Sequence, residues 1–196
     1  TRFQSSTKLP YNFSTVISKS LCIMFTDFAG FTALSKSVQP DQLLTELEEI
    51  FRKFDEISKE FGLLKIKTIG DAYMAVCGTE YFGKFYHNSN DILNCLKAGI
   101  RMQEEIERRK KNQELYFEGM RIGLHYGDSL LNYTPQGVDV WGPTVNLAQR
   151  MEPMCELNSI CMTKASFDIL NDSDFNFKSL MEPPKHKKKG CATQKK

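Results

Sequence analysis

Two aspartates at the ends of apolar segments are the residues of this sequence best suited to chemistry. Asp27 ends the strand-like run at residues 21–26, and Asp71 lies between the apolar runs at residues 63–69 and 72–77. A Gly-Asp pair between two such runs predicts a β-hairpin with a tight turn. Carboxylates presented by two strand ends could together bind hard cations such as Mg²⁺, which prefer oxygen ligands.

A role in turn formation competes with this metal-site interpretation. Aspartate is common at strand ends and in turns because its side chain hydrogen-bonds to nearby backbone groups. From the residue pattern alone, turn formation is the more common explanation for both aspartates. A metal site therefore needs support from the surrounding sequence.

The strand expected before the Gly-Asp turn carries two lysines, Lys65 and Lys67. Because side chains alternate between the two faces of a strand, both lysines are expected on the same face of the sheet. A strand lysine that only pairs with an acidic group across the sheet is the alternative to a binding role. That alternative stays open for Lys65 in particular.

The elements expected to position these residues run in the order strand, two helices, hairpin, helix, strand. A short helix is expected to about residue 37, and Pro40 begins a long one with apolar residues at helical spacing. Another long helix is expected at residues 91–111, a strand at residues 115–126, and a hairpin or arm at residues 128–138. The order βααββαβ predicts an α+β, ferredoxin-like fold with an antiparallel-rich sheet and helices on one face.

Composition excludes several classes of protein. A chain of 196 residues is long enough for one domain with a hydrophobic core, and its net charge of +2 gives no reason to expect nucleic-acid binding. Six cysteines without a C-x-x-C pair or histidines at zinc spacing favour a reducing compartment. No apolar run approaches the ~20 residues of a membrane span. A cytoplasmic location is therefore expected.

The chain divides into three parts by composition. Residues 1–19 are polar and predict a linker or docking arm, residues 20–182 the folded domain, and residues 183–196 a basic tail or a truncated final hairpin. The first residue is not methionine, which suggests a fragment of a longer protein. The regulatory portion, and a membrane portion if the parent protein is membrane-bound, would then lie outside this sequence.

Three segments resemble, in order, the signature motifs of the class III nucleotidyl cyclase catalytic domains, adenylyl cyclase type. They are residues 25–32 (FTDFAGFT), 65–74 (KIKTIGDAYM) and 139–151 (DVWGPTVNLAQRM). One such motif alone would be a weak signal, but three long ones in the family's order are specific. The family has the βααββαβ fold, and the resemblance favours a metal site over turn formation at both aspartates.

The resemblance implies that Asp27 and Asp71 hold two Mg²⁺ or Mn²⁺ ions, with the backbone carbonyl of Phe28 as a further ligand. When a nucleoside triphosphate is cyclised, one cation activates the ribose 3′-hydroxyl and the other holds the phosphates. The start of the following helix offers backbone N–H groups to phosphate, and Gly30 lets the ligand approach closely. The substrate-binding residues expected in this segment are Phe28, Ala29, Gly30, Phe31 and Thr32.

The third motif supplies the residues that the resemblance assigns to the transition state. Asn146 and Arg150 are four residues apart on a predicted helix, so both project from one face. An amide can hold the ribose, and a guanidinium suits the phosphoryl oxygens. Without the motif, an ordinary helix surface would be the preferred explanation.

Lys187 is a further candidate for substrate binding. It lies in a Lys-Lys-Lys-Gly run that resembles the family's late triphosphate-binding turn with one glycine missing. A solvated basic tail is the alternative.

Base choice is expected to depend on Lys67 and Asp139. Adenine offers N1 as an acceptor and its 6-amino group as a donor, which a lysine and an aspartate complement. Guanine presents the opposite pattern, which would leave both side chains mismatched. In the family the position of Lys67 is lysine in adenylyl cyclases and glutamate in guanylyl cyclases, and that of Asp139 is often cysteine in the latter.

These observations predict an adenylyl cyclase catalytic domain that converts ATP to 3′,5′-cyclic AMP and pyrophosphate in signal transduction. In the family the active site lies between two domains, one contributing the metal aspartates and the other the base and transition-state residues. This chain carries both sets, so a homodimer with two shared active sites is expected. The alternatives are a guanylyl cyclase and a non-catalytic nucleotide-binding or dimerisation module.

Overall fold

The structure, a computed structural model, describes residues 15–78, 90–114, 116–134, 137–170, 175 and 177. Its elements are β1 (Thr15–Phe28), α1 (Phe31–Leu34), α2 (Pro40–Glu60), β2 (Leu64–Ile69), β3 (Ala72–Cys77), α3 (Asn90–Lys111), β4 (Met120–Thr134), β5 (Gly137–Trp141), α4 (Pro143–Met151), β6 (Ile160–Met162) and α5 (Lys164–Leu170). A short 3₁₀ turn, Glu152–Met154, follows α4. The first seven elements confirm the predicted order βααββαβ.

The strands form one sheet in the order β2-β3-β1-β4-β5, in which all neighbours are antiparallel. The short β6 adds a parallel pairing to the first part of β4, opposite residues 122–124. β1 pairs with β4 along its whole length, from Thr15 opposite Tyr133 to Phe28 opposite Met120. The antiparallel-rich sheet that the sequence predicted is therefore confirmed.

β1 lies at the centre of the sheet and is buried on both faces. Cys22 and Met24 join the larger core cluster with α2 and α3, whereas Leu21 and Ile23 join a smaller cluster with Ala148 of α4. Burial on both faces explains why residues 21–25 form a continuous apolar run instead of alternating with polar residues. The long helices and α5 thus cover one face, and the shorter α4 covers part of the other.

Gly123 on β4 lets α4 approach the sheet closely. A Cβ atom at this position would collide with backbone atoms of Ala148 and Glu152. Any other residue would push the end of α4 outward, together with the 3₁₀ turn that follows it. The glycine therefore places the helix of the third motif directly against the strand that pairs with β1.

The strands next to the active-site segments are longer than expected. β1 begins at Thr15, inside the stretch predicted as a linker, and β4 runs to Thr134, through most of the predicted arm. Each extension supplies backbone partners for the other, since Thr15 to Lys19 pair with Ser129 to Tyr133. The predicted limits at residues 1–19, 20–182 and 183–196 remain predictions. Within the described ranges, no helix is long and apolar enough to cross a bilayer.

The β2–β3 hairpin contains a β-bulge that overturns the expected alternation of its lysines. Lys65 lies opposite Ala75, but Lys67 lies opposite Met74, so Ile66 is an extra residue on β2. One extra residue reverses the face of every side chain that follows it. The prediction that Lys65 and Lys67 share a face was therefore wrong: Lys65 faces α2, and Lys67 faces the side of α4.

Candidate active site

Asp27 and Asp71 come together because β1 and β3 are neighbours. Thr26 pairs with Tyr73, so the end of β1 lies beside the tip of the β2–β3 hairpin. The carboxyl group of Asp71 lies close to that of Asp27 and to the backbone of Phe28. The sheet thus brings the two predicted metal ligands to one place.

Two charged residues that the sequence analysis missed complete this cluster. Arg121 on β4 lies directly opposite Asp27, and its Nη2 donates a hydrogen bond of 2.8 Å to Asp27 Oδ2. Its Nε is 2.8 Å from Glu152 Oε1, an ion pair without hydrogen-bond geometry. An arginine among the apolar residues of β4 and a glutamate just after the third motif were the available signals. Neither reveals a partner, because the pairing of β1 with β4 is not visible in the sequence.

The cluster holds more negative charge than Arg121 can balance. Burial, followed by the charge of Asp27, raises the pKa of Asp71 to about 6. Burial and the charge of Asp27 also raise the pKa of Glu152 to about 7, although Arg121 opposes this rise. Crowded carboxylates resist ionisation when no cation neutralises them. The site is therefore electrostatically suited to a cation.

The donor set fits a hard divalent cation that also binds substrate. Asp27 and Asp71 supply carboxylate oxygens, the ligands that Mg²⁺ and Mn²⁺ prefer. No group of three or more acidic, histidine or cysteine side chains is arranged around one metal position in the described part of the chain. Magnesium in nucleotide enzymes is commonly held by one or two carboxylates plus substrate phosphates. Phe28 as a carbonyl ligand remains a prediction.

These raised pKa values predict how stability depends on pH. Asp71 and Glu152 have pKa values of about 6 and about 7, both above those of the unfolded chain near pH 4. Between about pH 4 and about pH 7 the folded domain therefore binds more protons than the unfolded chain. The free energy of unfolding then falls as pH rises.

The measurement is the thermal stability of the wild type and of the Glu152→Gln variant, each in the presence of a metal chelator, from about pH 5 to about pH 8. The wild type should lose stability relative to the variant as pH rises, and its stabilisation by Mn²⁺ should grow over the same range. Parallel curves for the two proteins would contradict the assigned charge crowding.

The segment between β1 and α1 supplies candidate phosphate-binding groups. Gly30 adopts φ 87°, a left-handed conformation that favours glycine. The backbone N–H groups of Gly30, Phe31 and Thr32 donate no hydrogen bond to another described residue, whereas the Ala29 N–H donates to the Gly119 carbonyl at 3.0 Å.

The helix that follows this segment is shorter than predicted. The prediction extended it to about residue 37, but α1 ends at Leu34.

Lys67 and Asp139, the predicted base-recognition residues, contact each other. Lys67 Nζ lies 2.8 and 3.0 Å from the two carboxylate oxygens of Asp139. The backbone N–H of Val140 donates to Asp139 Oδ1 at 2.8 Å, which orients the carboxylate. Lys67 Nζ also lies 5.9 Å from the ring centroid of Trp141. The bulge at Ile66 makes this contact possible, because it turns Lys67 toward β5.

Asn146 and Arg150 point to solvent from α4. Thr144 and Ala148 are the buried residues of this helix, and the Thr144 hydroxyl donates to the Asp128 carbonyl. Asn146 and Arg150 are exposed, and neither makes a hydrogen bond or ion pair with another described residue. Within one chain they do not pair with Asp27 or Asp71. The predicted Lys187 lies outside the described residues.

Comparison with known proteins identifies the relatives of this chain. The profile described as "Adenylate and Guanylate cyclase catalytic domain" matches residues 15–191. The germination-specific adenylate cyclase of Dictyostelium discoideum is 36% identical over 82% of this chain, which spans 18% of that protein. The membrane guanylyl cyclase of the same organism is 32% identical over 78% of this chain, which spans 10% of it. The chain therefore covers less than a fifth of either relative.

A solved structure supports the fold independently. The adenylyl cyclase CyaB from P. aeruginosa superimposes with a TM-score of 0.71 at 21% sequence identity, over 81% of this chain and 84% of that one. At this identity the likeness concerns the fold alone. The profile match across most of the chain decides the family: this chain belongs to the class III adenylyl and guanylyl cyclase catalytic domains.

Proposed function

We propose that this member of the cyclase family is an adenylyl cyclase, which converts ATP to 3′,5′-cyclic AMP and pyrophosphate. The observation that carries the proposal is the contact between Lys67 and Asp139. The lysine ammonium can donate to N1 of adenine, and the aspartate can accept from the 6-amino group. With guanine, the N1–H donor would meet a lysine and the O6 acceptor would meet a carboxylate, which leaves both contacts unsatisfied.

The remaining residues of the site suit an in-line displacement. The ribose 3′-oxygen forms a bond to the α-phosphorus while the bond from that phosphorus to the pyrophosphate oxygen breaks. Divalent cations held by Asp27 and Asp71 would supply the positive charge that favours ionisation of the hydroxyl and departure of pyrophosphate. The N–H groups of Gly30, Phe31 and Thr32, which donate to no other residue that the structure describes, donate to phosphate oxygens in this proposal. The segment Phe28 to Thr32 lines this part of the site.

Asn146 and Arg150 act from the partner subunit in this proposal. Both are exposed on α4 and have no partner within the described chain. Asn146 orients the ribose, and Arg150 stabilises the negative charge on the transition-state phosphoryl oxygens. A two-fold homodimer that joins α4 of one subunit to the carboxylate cluster of the other would hold two identical sites. Lys187 is proposed to reach the triphosphate.

The parent protein is proposed to be a signalling enzyme with this domain on its cytoplasmic side. The chain spans only 18% and 10% of its two Dictyostelium relatives, which leaves ample length for regulatory domains in such proteins. A divalent cation and ATP are the proposed small-molecule partners, and nucleic acid is not one of them.

Product identification tests this proposal directly. The purified domain is incubated with ATP or GTP in the presence of Mn²⁺, and the products are separated by chromatography. Cyclic AMP as the main product is expected. Cyclic GMP would indicate a guanylyl cyclase, the activity of the relative that is 32% identical. No cyclic nucleotide from a dimeric, nucleotide-binding preparation would indicate a non-catalytic module.

Base selectivity should respond to the two contacting residues. Lys67→Glu combined with Asp139→Cys is expected to weaken the preference for ATP and admit GTP. Each mismatched polar contact costs about 1–3 kcal/mol, so relaxed selectivity is expected instead of a full reversal. The ratio of kcat/KM for ATP and GTP is the measurement. Wild-type selectivity in the double variant would show that other residues read the base.

A further inference from the structure

We infer that Cys155 and Cys161 form an oxidation site, at which a peroxide converts the two thiols into a disulfide within the chain. The two cysteines are six residues apart in the sequence, and every cysteine among the described residues is a free thiol. Neither has a role in the proposed cyclase reaction, so the inference does not depend on that proposal. It rests on where the fold places the two side chains.

The Cys155 side chain lies against β4, directly after the 3₁₀ turn that follows α4. Its Sγ is 3.0 Å from the carbonyl oxygen of Ile122 and 3.3 Å from that of Met151, the last residue of α4. Ile122 pairs with Ile160 of β6. The Cys155 sulfur therefore lies on the α4 side of the sheet, at the point where β4 meets β6.

The Cys161 side chain is on the same side of the sheet. Its neighbours on β6, Ile160 and Met162, pack against the larger core cluster on the opposite side, where Ile160 lies next to Gly99 of α3. Since side chains alternate along a strand, Cys161 faces α4. Its partner on β4 is Gly123, which has no side chain to separate Cys161 from the turn. Both thiols thus lie together on one face of the sheet.

Their surroundings give the two thiols different roles. Hydrogen bonding between the two side chains, the largest influence on both, lowers the pKa of Cys161 and raises the pKa of Cys155. Burial adds to the rise at Cys155 and opposes the fall at Cys161. Cys161 is partly exposed, whereas Cys155 is buried. Because an accessible thiolate is the form that reacts with peroxides, Cys161 attacks first and Cys155 completes the disulfide.

The reaction balances with one molecule of hydrogen peroxide. The Cys161 thiolate attacks a peroxide oxygen: a sulfur–oxygen bond forms, the oxygen–oxygen bond breaks, and the departing hydroxide is protonated by solvent. The Cys155 sulfur then attacks the sulfur of this sulfenic acid. The sulfur–oxygen bond breaks, and the departing hydroxide takes the proton of the Cys155 thiol. Two thiols are oxidised to a disulfide, and the peroxide is reduced to two water molecules.

The disulfide would tie the 3₁₀ turn to β6 beside the carboxylate cluster. The Cys155 N–H donates to the Glu152 carbonyl at 3.0 Å, and the Glu152 carboxylate is 2.8 Å from Arg121 Nε. A covalent link restricts the local opening of the segment that it closes. Oxidation should therefore slow amide hydrogen exchange between residues 152 and 161.

A second group of cysteines supplies an internal control. Cys22 and Cys77 are direct partners in the pairing of β1 with β3, and Cys95 lies near both. All three are 0% exposed, so a peroxide does not reach them in the folded domain. Proximity is common to both groups, but only the pair at residues 155 and 161 has a partly exposed member.

Mass spectrometry of the oxidised domain tests the inference. The Cys191→Ser domain, which lacks the one cysteine outside the described residues, is treated with dilute hydrogen peroxide and then unfolded in N-ethylmaleimide. Trypsin releases residues 151–164, which contain both cysteines of the site. This peptide should lose two hydrogens, stay unlabelled and regain both thiols in dithiothreitol. Its oxidation should be at least about tenfold faster than that of the three fully buried cysteines, because of their difference in exposure.

Two variants separate the roles of the thiols. Cys155→Ser should leave Cys161 as a sulfenic acid, which dimedone labels, whereas Cys161→Ser should leave Cys155 as a free thiol under the same treatment. Free thiols at both positions in the peroxide-treated Cys191→Ser domain, or oxidation no faster than that of the fully buried cysteines, would overturn the inference. Hydrogen exchange that does not change on oxidation would overturn the tether at the 3₁₀ turn.

Discussion

Replacing Asp71 with asparagine is expected to lower turnover at saturating Mn²⁺ by at least about a thousandfold, the scale of several kcal/mol that a bound metal contributes to a transition state. Asparagine keeps the shape of the side chain and suits a tight turn, but it removes the charge that holds the cation. Burial, followed by the charge of Asp27, raises the pKa of Asp71 and so disfavours its ionised form when no cation is bound. The metal-free variant should therefore fold at least as stably as the wild type.

The measurement combines steady-state turnover with thermal unfolding, each with and without Mn²⁺. The variant should be inactive and should lose much of the stabilisation by Mn²⁺. Asp168→Asn is the control, since among the described residues Asp168 forms an ion pair only with the exposed Lys164 on α5, and this variant should behave as wild type. Near-wild-type turnover of the Asp71 variant at saturating Mn²⁺ would refute the assignment of this carboxylate to the metal site.

Two inactive variants are expected to restore activity when mixed. Asp71→Asn removes a proposed metal ligand, and Arg150→Ala removes the proposed transition-state residue on α4. In a mixed dimer one shared site collects both lesions and the other collects none. Random pairing places about half of the dimers in the mixed state, so about a quarter of wild-type activity should return when association is tight. Specific activity should also fall on dilution, because a monomer holds no complete site in the proposed arrangement.

Differently tagged variants allow mixed dimers to be isolated before the assay. Each variant alone, dissociated and reassociated in the same way, supplies the background activity. A site built within one chain predicts no rescue and no dependence on concentration. Mixed dimers whose activity does not exceed the sum of the separate variants would show that the subunits do not share a site.

The sequence by itself determined the order of elements and the main candidate residues. Local patterns carry this information: apolar runs marked the strands that end beside Asp27 and flank Asp71, a Gly-Asp pair marked the hairpin, and Pro143 marked the start of α4. Such signals depend on neighbouring residues alone, so they survive without knowledge of the fold. The resemblance then assigned chemistry that the pattern had left open.

The tertiary structure decided which side chains meet. Arg121 and Glu152 joined the carboxylate cluster because β4 pairs with β1 and because Gly123 admits the end of α4, neither of which a local pattern reveals. These contacts link residues far apart in the chain. Their presence depends on the strand order of the sheet and on how closely a helix packs against it.

The two lysines of β2 show most directly what a local sequence pattern does not predict. Alternation along a strand predicted one face for Lys65 and Lys67, but the bulge at Ile66 places them on opposite faces. The residues that contact these lysines, Asp55 and Asp139, lie 10 and 72 residues away from them along the chain. In a regular ladder, the side chains of a strand alternate between the two faces with a period of two. An extra residue in one strand is favoured only when contacts on both faces of the sheet offset the lost backbone pairing. Those contacts exist only after the chain has folded.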